Sequence, residues 1–344
     1  MSAKPVLAID AMGGDFGPGV IVPGAIQAAR DLRVKVLLVG DASRLEAELD
    51  KLSPGKVDYE LVPASEVAQM HEKPSDILRR KKDSSIQVAC RLVKDGAASG
   101  VISAGHSGAT AACGIFIIGR IPGVERPALA AFLPTEKNPL VVIDAGANVD
   151  CRPYHLFQFG LMGDAFARDI FGYPSPRVAL LNIGEEEGKG NSQVKEAYEL
   201  YKMAEHVNFV GNAEGRDIFS GDMDVVVCDG FVGNIIVKMS EGVAFSLMRM
   251  LKRELFSGFV TRVGTWLSKP AFKRFINIVD YAEYGGAPLL GLQGICLVCH
   301  GKSSSRAITN AVKMAAMFVE KGTNQRLREA VLTNEELTRF SRAL

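Results

Sequence analysis

Residues 178–191 read V-A-L-L-N-I-G-E-E-E-G-K-G-N, and this stretch indicates how the chain is built. The apolar run Val178–Leu181 has the length of a short strand, and the mixed, charged residues 192–204 have the composition of a helix. The glycines between them let the backbone turn sharply and approach a ligand closely. Lys189 is the one cation of this loop. It is either a ligand-binding lysine or a solvated lysine in a tight turn, and the loop alone does not decide between them.

The same unit of strand, glycine-containing turn and helix recurs along the chain. Further strands are predicted at residues 6–9, 35–39, 58–62, 101–103, 140–143, 208–210, 224–228 and 295–299. Helices are predicted at residues 23–32, 43–52, 85–94, 154–170 and 304–319, and from about residues 107 and 235. This alternation predicts an α/β fold with a mostly parallel sheet and right-handed crossovers.

Several of these strands end in similar turns. Asp10, Asp144 and Asp229 each stand at the end of a predicted strand and are followed within a few residues by glycine. Similar turns occur at Gly105 and Gly184. Ligands collect at the carboxyl edge of an open α/β sheet. The five turns therefore predict one site for an anion.

The composition excludes some classes of protein. Forty Lys and Arg residues against 39 Asp and Glu give a net charge of +1, so no global field favours nucleic acid. The N-terminus has no long apolar segment, and most of the six cysteines lie in apolar runs, which predicts a cytoplasmic protein with buried thiols. Cys296 and Cys299 are predicted to point to opposite faces of a strand, as packed thiols. Residues 96–119 are uncharged, but their glycines and histidine favour a strand, turn and helix over a membrane span.

Two basic segments allow two readings each. Residues 79–82 are four consecutive cations, either a solvated helix end or a contact for an acidic partner.

Residues 255–267 place apolar side chains on one helical face: Leu255, Phe256, Phe259, Val263, Trp266 and Leu267. Pro270 should break or kink this helix. Beyond it the apolar face continues with Phe272, Phe275, Ile276 and Val279. The segment fits a membrane interface, and it equally fits a helix packed on the core or on a second subunit.

Common catalytic signatures are missing from the sequence. The first turn, G-G-D-F-G-P-G, does not fit a dinucleotide fingerprint, Lys189 is not followed by Ser or Thr as in a P-loop, and neither H-E-x-x-H nor G-x-S-x-G occurs. An anion site without a protein nucleophile suits a reaction in which the anion itself attacks, such as inorganic phosphate attacking an activated acyl carbonyl. Lys189 is then predicted to bind phosphate charge. Asn234 would orient the phosphate or stabilise the tetrahedral intermediate.

Six motifs stand in order along the chain: I-D-A-M-G-G-D at 9–15, S-A-G-H-S-G-A at 103–109, D-A-G-A-N-V-D at 144–150, L-N-I-G-E-E-E-G-K-G-N at 181–191, D-G-F-V-G-N at 229–234 and Y-A-E-Y-G-G-A-P-L-L-G at 281–291. Over essentially its whole length the chain resembles the phosphate acyltransferase family of bacterial phospholipid synthesis. The resemblance implies transfer of a fatty acyl group from acyl carrier protein to inorganic phosphate, giving acyl phosphate. It implies a homodimer without a required cofactor or metal, which attaches reversibly to the cytoplasmic membrane surface, where the membrane acyltransferase that uses acyl phosphate is a further partner. The implied fold is a three-layer α/β/α sandwich like that of isocitrate and isopropylmalate dehydrogenases, related to phosphotransacetylases.

The resemblance also implies a set of site residues. Lys189 and Asn234 are the predicted catalytic residues. The predicted substrate-binding residues are Asp10, Gly13, Gly14, Asp15, His106, Ser107, Gly108, Asp144, Asn148, Asn182, Gly188, Asp229, Gly230 and Gly233. His106-Ser107 stands where the family usually has Asn-Thr, which keeps a hydroxyl but changes the donor pattern. The three adjacent acids at 185–187 would repel phosphate, so we expect them to face solvent or pair with cations.

Residues 1–344 are predicted to form one α/β/α unit. Within it, residues 252–282 form a protruding amphipathic insertion whose apolar face, Leu255 to Leu267, contacts the membrane. Arg79, Arg80, Lys81 and Lys82 are predicted to contact the acidic carrier protein. Two alternatives remain open: an acyl-coenzyme A-using enzyme like the phosphotransacetylases, and a membrane-surface scaffold with a vestigial site.

Overall fold

The computed structural model describes residues 4–279 and 285–343, which form a single twisted sheet covered by helices. The strands are β1 (Val6–Asp10), β2 (Lys35–Gly40), β3 (Tyr59–Pro63), β4 (Gly100–Ser103), β5 (Ala128–Leu133), β6 (Leu140–Ile143), β7 (Val178–Leu181), β8 (Phe209–Ala213), β9 (Val225–Val227), β10 (Ala287–Leu290) and β11 (Ile295–Val298). The helices are α1 (Pro18–Asp31), α2 (Ala42–Leu52), α3 (Pro74–Arg80), α4 (Ser85–Lys94), α5 (Ser107–Cys113), α6 (Pro153–Ile170), α7 (Ser192–Met203), α8 (Gly230–Leu255), α9 (Phe259–Leu267), α10 (Lys269–Val279), α11 (Ser305–Lys321), α12 (Thr323–Thr333) and α13 (Glu335–Ala343).

The sheet has eleven strands in the order β3-β2-β1-β4-β11-β10-β5-β6-β9-β7-β8. Neighbouring strands are parallel except where β10 and β5 are involved, since β10 is antiparallel to β11 and to β5, and β5 is antiparallel to β6. The prediction of an α/β fold with a largely parallel sheet is confirmed. Strands β5 and β10 were not predicted. They reverse the sheet, so β6 to β9 run opposite to β1 to β4.

Helices pack on both faces of the sheet, as the doubly apolar strands require. In β1, Leu7 and Ile9 belong to a core shared with α1 and α11, whereas Ala8 belongs to a core shared with α4. The two thiols of the C-x-x-C pair divide in the same way, Cys296 into the second core and Cys299 into the first. Burial raises the pKa of each of these thiols to about 12. The prediction of two separately packed thiols is confirmed.

Two helices begin earlier than the sequence pattern predicted. Helix α1 begins at Pro18 and contains Pro23, the predicted start, in its second turn. The missing N–H of Pro18 costs nothing at a first helical position. Helix α8 begins at Gly230 because the Asp229 carboxylate caps it, accepting a hydrogen bond from the Val232 N–H at 2.9 Å. This earlier start places Asn234 within the second turn of α8.

The apolar segment after α8 is exposed in this chain. Helix α9 ends at Leu267, and Pro270 lies in the first turn of α10, so the proline begins a new helix. No residue of α9 is buried, and Phe259 and Trp266 are 82% and 73% exposed. Packing on the protein's own core is therefore wrong for α9. The side chains of Ile276 and Val279, residues 280–282 of the predicted insertion and residues 281–284 of the last motif lie outside the described residues.

Helix α8 has the length and apolarity of a membrane span, by composition alone. It has 26 residues and contains an 18-residue stretch with a mean hydropathy of 1.3, of which 6% is buried. A single such helix is weak evidence of a span. Residues 96–119, by contrast, form β4, its turn and α5 as predicted.

Candidate functional site

The buried carboxylate of Asp10 stabilises the turn after β1 through hydrogen bonds. Asp10 is 3% exposed and accepts hydrogen bonds from the Ser85 hydroxyl at 2.6 Å and the Ser103 hydroxyl at 2.7 Å. Burial raises the pKa of Asp10 above its ordinary value. Ser103 in turn accepts the Gly105 N–H at 3.1 Å. Asp10 thus also fixes the turn after β4. Gly13, in the turn after β1, packs against that second turn, because a Cβ on Gly13 would lie 2.7 Å from the Gly105 nitrogen.

A third turn joins these two. The Asp15 N–H donates to the Gly301 carbonyl at 2.8 Å, which ties the turn after β1 to the turn after β11. Gly14 has φ +80° and lies beside the same carbonyl, so a side chain there would be strained. The Asp15 side chain remains exposed.

His106 fixes the neighbouring loop to the start of α5. Its Nδ1 accepts the Ala109 N–H at 3.3 Å, and its Nε2 lies 3.0 Å from the Glu72 carbonyl, so the proton belongs on Nε2. Gly108 packs against the ring of Pro74. His106 and Gly108 therefore position residues 72–74, and Ser107 is left exposed.

Asp144 organises the turn after β6 from the inside. It is fully buried, and burial raises its pKa. One carboxylate oxygen accepts the N–H groups of Leu129, Gly146 and Ala147, and the other accepts both the N–H and the side-chain amide of Asn148. Asp144 and Asn148, like Asp10, serve the backbone of the site.

The first turns of α8 pack directly on this loop. The Gly230 N–H donates to the Asn148 carbonyl at 2.7 Å. A Cβ on Gly233 would lie 1.9 Å from the Asp144 carbonyl oxygen, so only glycine fits there. This contact brings Asn234 against Gly146. No hydrogen bond to the Asn234 carboxamide is found within residues 4–279 and 285–343.

A cavity of about 430 Å³, here called the central cavity, lies where these turns meet. Its floor is formed by strands β5 and β10, through Leu129, Ala131, Phe132 and Ala287. The predicted site residues in its wall are Asp15, Ser107 and Asn234, with Gly105 and Ala145 of the predicted turns. The central cavity thus unites the turns after β1, β4 and β6 with the start of α8.

The structure adds residues that sequence reasoning missed. Lys238 and Glu241 line the central cavity together with Asn234, at the three- and four-residue spacing of one α8 face. The Lys238 ammonium forms no ion pair with any residue that the structure describes. His300 and Ser303 line it from the turn after β11. The sequence does contain a pattern that predicts His300 and Ser303 as site residues. H-G-K-S-S at 300–304 follows a predicted strand and contains a glycine, as the other site turns do.

The Lys189 loop borders a different space. A second cavity of about 440 Å³, here called the lateral cavity, is lined by Asn182, Gly190 and Asp229 among others. Lys189 is exposed, and within the described part of the chain neither Lys189 nor Gly188 lines either cavity. The Asn182 side-chain amide closes the loop by donating to the Lys189 carbonyl at 3.0 Å.

The three acids of this loop either pair with cations or face solvent. Glu185 lies 3.4 Å from Arg216, and Glu187 pairs with Lys202. Glu186 is exposed. These positions confirm the expectation for residues 185–187.

The four cations at residues 79–82 differ in exposure and in their contacts. Lys81 is half-buried, pairs with Glu72 at 2.8 Å and donates to the Val67 carbonyl at 2.8 Å. Lys81 therefore secures the loop at residues 67–72, and its charge is largely used there. Arg79, Arg80 and Lys82 remain exposed.

Solved structures share the fold of this chain. A phosphotransacetylase from Streptococcus pyogenes superposes with a TM-score of 0.65, covering 92% of this chain and 94% of that chain at 19% identity. The chain thus has the phosphotransacetylase fold. A family model described as "Fatty acid synthesis protein" matches residues 6–326.

Sequence relatives give the particular family. A phosphate acyltransferase of Nitratidesulfovibrio vulgaris (strain DP4) is 66% identical over 339 residues, which is 98% of each chain. A phosphate acyltransferase of Lawsonia intracellularis is 63% identical over 335 residues, 97% of this chain and 96% of the relative. The chain belongs to the phosphate acyltransferase family.

Proposed function

We propose that this protein transfers a fatty acyl group from acyl carrier protein to inorganic phosphate, giving acyl phosphate for phospholipid synthesis. Family membership supports an acyltransferase that uses phosphate, and the matching family model supports a fatty acyl group. The observation that carries the proposal is the central cavity, in which Ser107, Asn234 and Lys238 meet. A hydroxyl, a carboxamide and a cation suit a phosphate beside an acyl carbonyl.

The central cavity favours direct attack by phosphate over a covalent thiol intermediate. Cys299 lines it, but burial raises the pKa of this thiol to about 12, so it stays protonated at neutral pH. A thiol, unlike a thiolate, is a poor nucleophile. In the proposed reaction an oxygen of hydrogen phosphate forms a bond to the acyl carbon and the C–S bond breaks. The proton of the phosphate passes to solvent, and the carrier leaves as a thiolate that takes up a proton from solvent.

Each group then has a role. The Asn234 amide would donate to the oxyanion of the tetrahedral intermediate, and the Ser107 hydroxyl would donate to phosphate. Lys238 and Lys189 are the two lysines that could supply positive charge, the first from the cavity wall and the second from the neighbouring loop. The carboxylates of Asp10 and Asp144 would serve substrate binding by holding the backbone of the site in place.

The finer predictions about assembly remain part of the proposal. Residues 1–344 would act as one α/β/α unit with the dehydrogenase-like layering, as a homodimer at the cytoplasmic membrane surface. The apolar face formed by the end of α8 and by α9 would protrude and contact the membrane, through Leu255, Phe256, Phe259, Val263, Trp266 and Leu267. The exposed apolar residues of α8, such as Met239 and Val243, suit contact with the second subunit. The carrier protein would dock on Arg79, Arg80 and Lys82.

The test is release of free carrier thiol. Incubation with an acyl-carrier protein and phosphate should release thiol in proportion to enzyme and only when phosphate is present. Absence of phosphate-dependent release across several chain lengths would overturn the proposal. Because the fold is that of the phosphotransacetylases, acyl-coenzyme A is the second candidate donor. We expect a higher kcat/KM with the carrier protein, and the opposite order would assign the coenzyme.

A further inference from the structure

Strand β5 has one buried face and one face that is open to the central cavity. Ala128 and Ala130 are fully buried in the core shared with α1, α6 and α11. Leu129 and Ala131, which alternate with them along the strand, are only half-buried and line the central cavity. Strands in the middle of a sheet that carries helices on both faces are normally buried on both faces. Within residues 4–279 and 285–343, the sheet therefore presents apolar surface to the central cavity.

The surroundings of this open face are also apolar. Ala287 of the neighbouring strand β10 continues the floor, and Val237 of α8 contributes to the wall. Ala131 and Ala287 each carry only a methyl group, so the floor is low at these two positions. Met70, which is 60% exposed, lines the cavity from the loop at 67–72. Because methionine is flexible and polarizable, it adapts to apolar guests of varied shape. This part of the central cavity therefore suits a hydrocarbon.

The loop that carries Met70 is held in place by its own contacts. The Gln69 N–H donates to the Glu72 carboxylate at 2.8 Å, and Glu72 pairs with Lys81 at 2.8 Å. Lys81 also donates to the Val67 carbonyl at 2.8 Å. The residues on both sides of Met70 are thus fixed. Met70 has a defined place at the edge of the central cavity, where its side chain would gain by covering an apolar guest.

The proposed reacting groups lie at one end of the apolar floor. The Ala145 N–H donates to the Leu129 carbonyl at 2.8 Å, which joins β5 to the turn after β6. Asn234 packs against Gly146 in the same turn. Leu129 is therefore close to the reacting end, and Ala131 lies roughly 7 Å further along β5. A donor whose thioester lies beside Asn234 can extend its chain along β5 within the same cavity.

We propose that the hydrocarbon chain of the acyl donor lies along the open face of β5, between the α8 wall and Met70. The inference rests on the proposed acyl transfer and assigns where the chain binds. Thioester and chain then occupy one cavity. Ala131 determines how much of the chain is accommodated, because a larger side chain at this position would fill the floor.

The first test fills the floor at Ala131 and compares donors of different length. Ala131→Leu removes room for the chain, and Ala47→Leu is the matched control because Ala47 is exposed on α2, away from the cavity lining. Each methylene that can no longer be buried weakens binding by about fourfold. Exclusion of two methylenes should raise the ratio of palmitoyl to butyryl KM by more than about tenfold, since a butyryl chain ends before Ala131. An unchanged KM ratio in a folded Ala131→Leu variant would overturn the inference.

A second variant keeps the inference testable should Ala131→Leu misfold by circular dichroism. Met70→Asp places a charge beside the chain, and the exposure of Met70 favours an intact fold. Met203→Asp is the matched control, at a comparably exposed methionine at the end of α7. The palmitoyl-to-butyryl KM ratio should rise by about fourfold or more for Met70→Asp, which is the loss of one buried methylene. Equal ratios in these two variants would refute the chain site.

A binding assay separates this inference from the proposed reaction. Affinity for cis-parinaric acid, a fluorescent fatty acid, requires no turnover. Ala131→Leu and Met70→Asp should each lower it by about fourfold or more, while Ala47→Leu leaves it unchanged. Equal affinity in all three variants contradicts the inference, and a change of molecular mass in light scattering without a change of affinity would assign the open face to a second subunit instead. Absence of phosphate-dependent thiol release by the unaltered protein would overturn the proposed function.

Discussion

Lys238→Ala tests whether the phosphate charge is met inside the central cavity. The lysine lies one helical turn beyond Asn234 and lines the same cavity, and its ammonium forms no ion pair among the residues described. A hydrogen bond to a charged group contributes about 1.5–3 kcal/mol. Because Lys238 is exposed, solvent screens its charge and the lower end applies. A loss of about 1.5 kcal/mol corresponds to a rise in KM for phosphate of roughly tenfold.

The assay is initial-rate thiol release at saturating acyl-carrier protein with phosphate varied. Lys238→Arg should recover part of the affinity because it keeps the positive charge. Lys313→Ala, an exposed lysine on α11, is the control for a general loss of charge. Lys189→Ala in the same assay separates the two lysines. A phosphate KM within twofold of the unaltered enzyme for Lys238→Ala, beside a large rise for Lys189→Ala, would refute the role of Lys238.

Three further predictions follow from individual residues. Burial lowers the pKa of His155 to about 4 in the folded protein. Below pH 6.5 the unfolded chain therefore binds a proton that the folded protein does not bind, and the free energy of unfolding falls as the pH drops toward 4. At pH 5 this loss is about 2 kcal/mol. His155→Gln should flatten this dependence in urea titrations, and an unchanged slope would contradict the assignment. Gly233→Ala should cost more than about 3 kcal/mol because its Cβ meets a backbone oxygen. Gly242→Ala, with open space around it, should instead stabilise the protein by about 0.5–1 kcal/mol, and thermal melts measure both variants. Equal stability changes in the two variants would refute the close contact of Gly233 with the Asp144 carbonyl. Trp266→Asp should abolish sedimentation with anionic vesicles whereas Phe340→Asp on α13 should not, and retained sedimentation of both excludes α9 as the contact.

Most strands and helices could be predicted because their signals are local. A short apolar run that ends in Asp or Gly and precedes a charged amphipathic segment specifies strand, turn and helix with no knowledge of the partners. Strands β5 and β10 carry no such signal, since neither is joined to its neighbour by a helical crossover. The sequence shows each only as a short apolar run. Their place between β11 and β6 is decided by long-range pairing.

The roles of the site carboxylates could not be predicted for a related reason. Sequence position places Asp10, Asp144 and Asp229 at strand ends, but it does not show which way the side chains point. The first two are buried and saturated by hydroxyl and N–H donors, and the third caps a helix. An acid at the end of a strand thus served the backbone in all three turns. The groups that line the central cavity lie a few residues further on, as Asp15, Ala145 and Asn234 show.

The prediction of one pocket built from five turns assumed that all parallel strands end at one edge. Strands β5 and β10 break that assumption, because they reverse the direction of the sheet between its two halves. The turn after β6 lines the same cavity as the turns after β1 and β4, although β6 belongs to the reversed half. The Lys189 loop after β7 lines another cavity together with the end of β9. Helix α8 begins between the two groups and contributes to both cavities. A change in its first two turns should therefore affect both cavities, whereas a change in the loop at 182–191 should reach the lateral cavity directly and the phosphate only through Lys189.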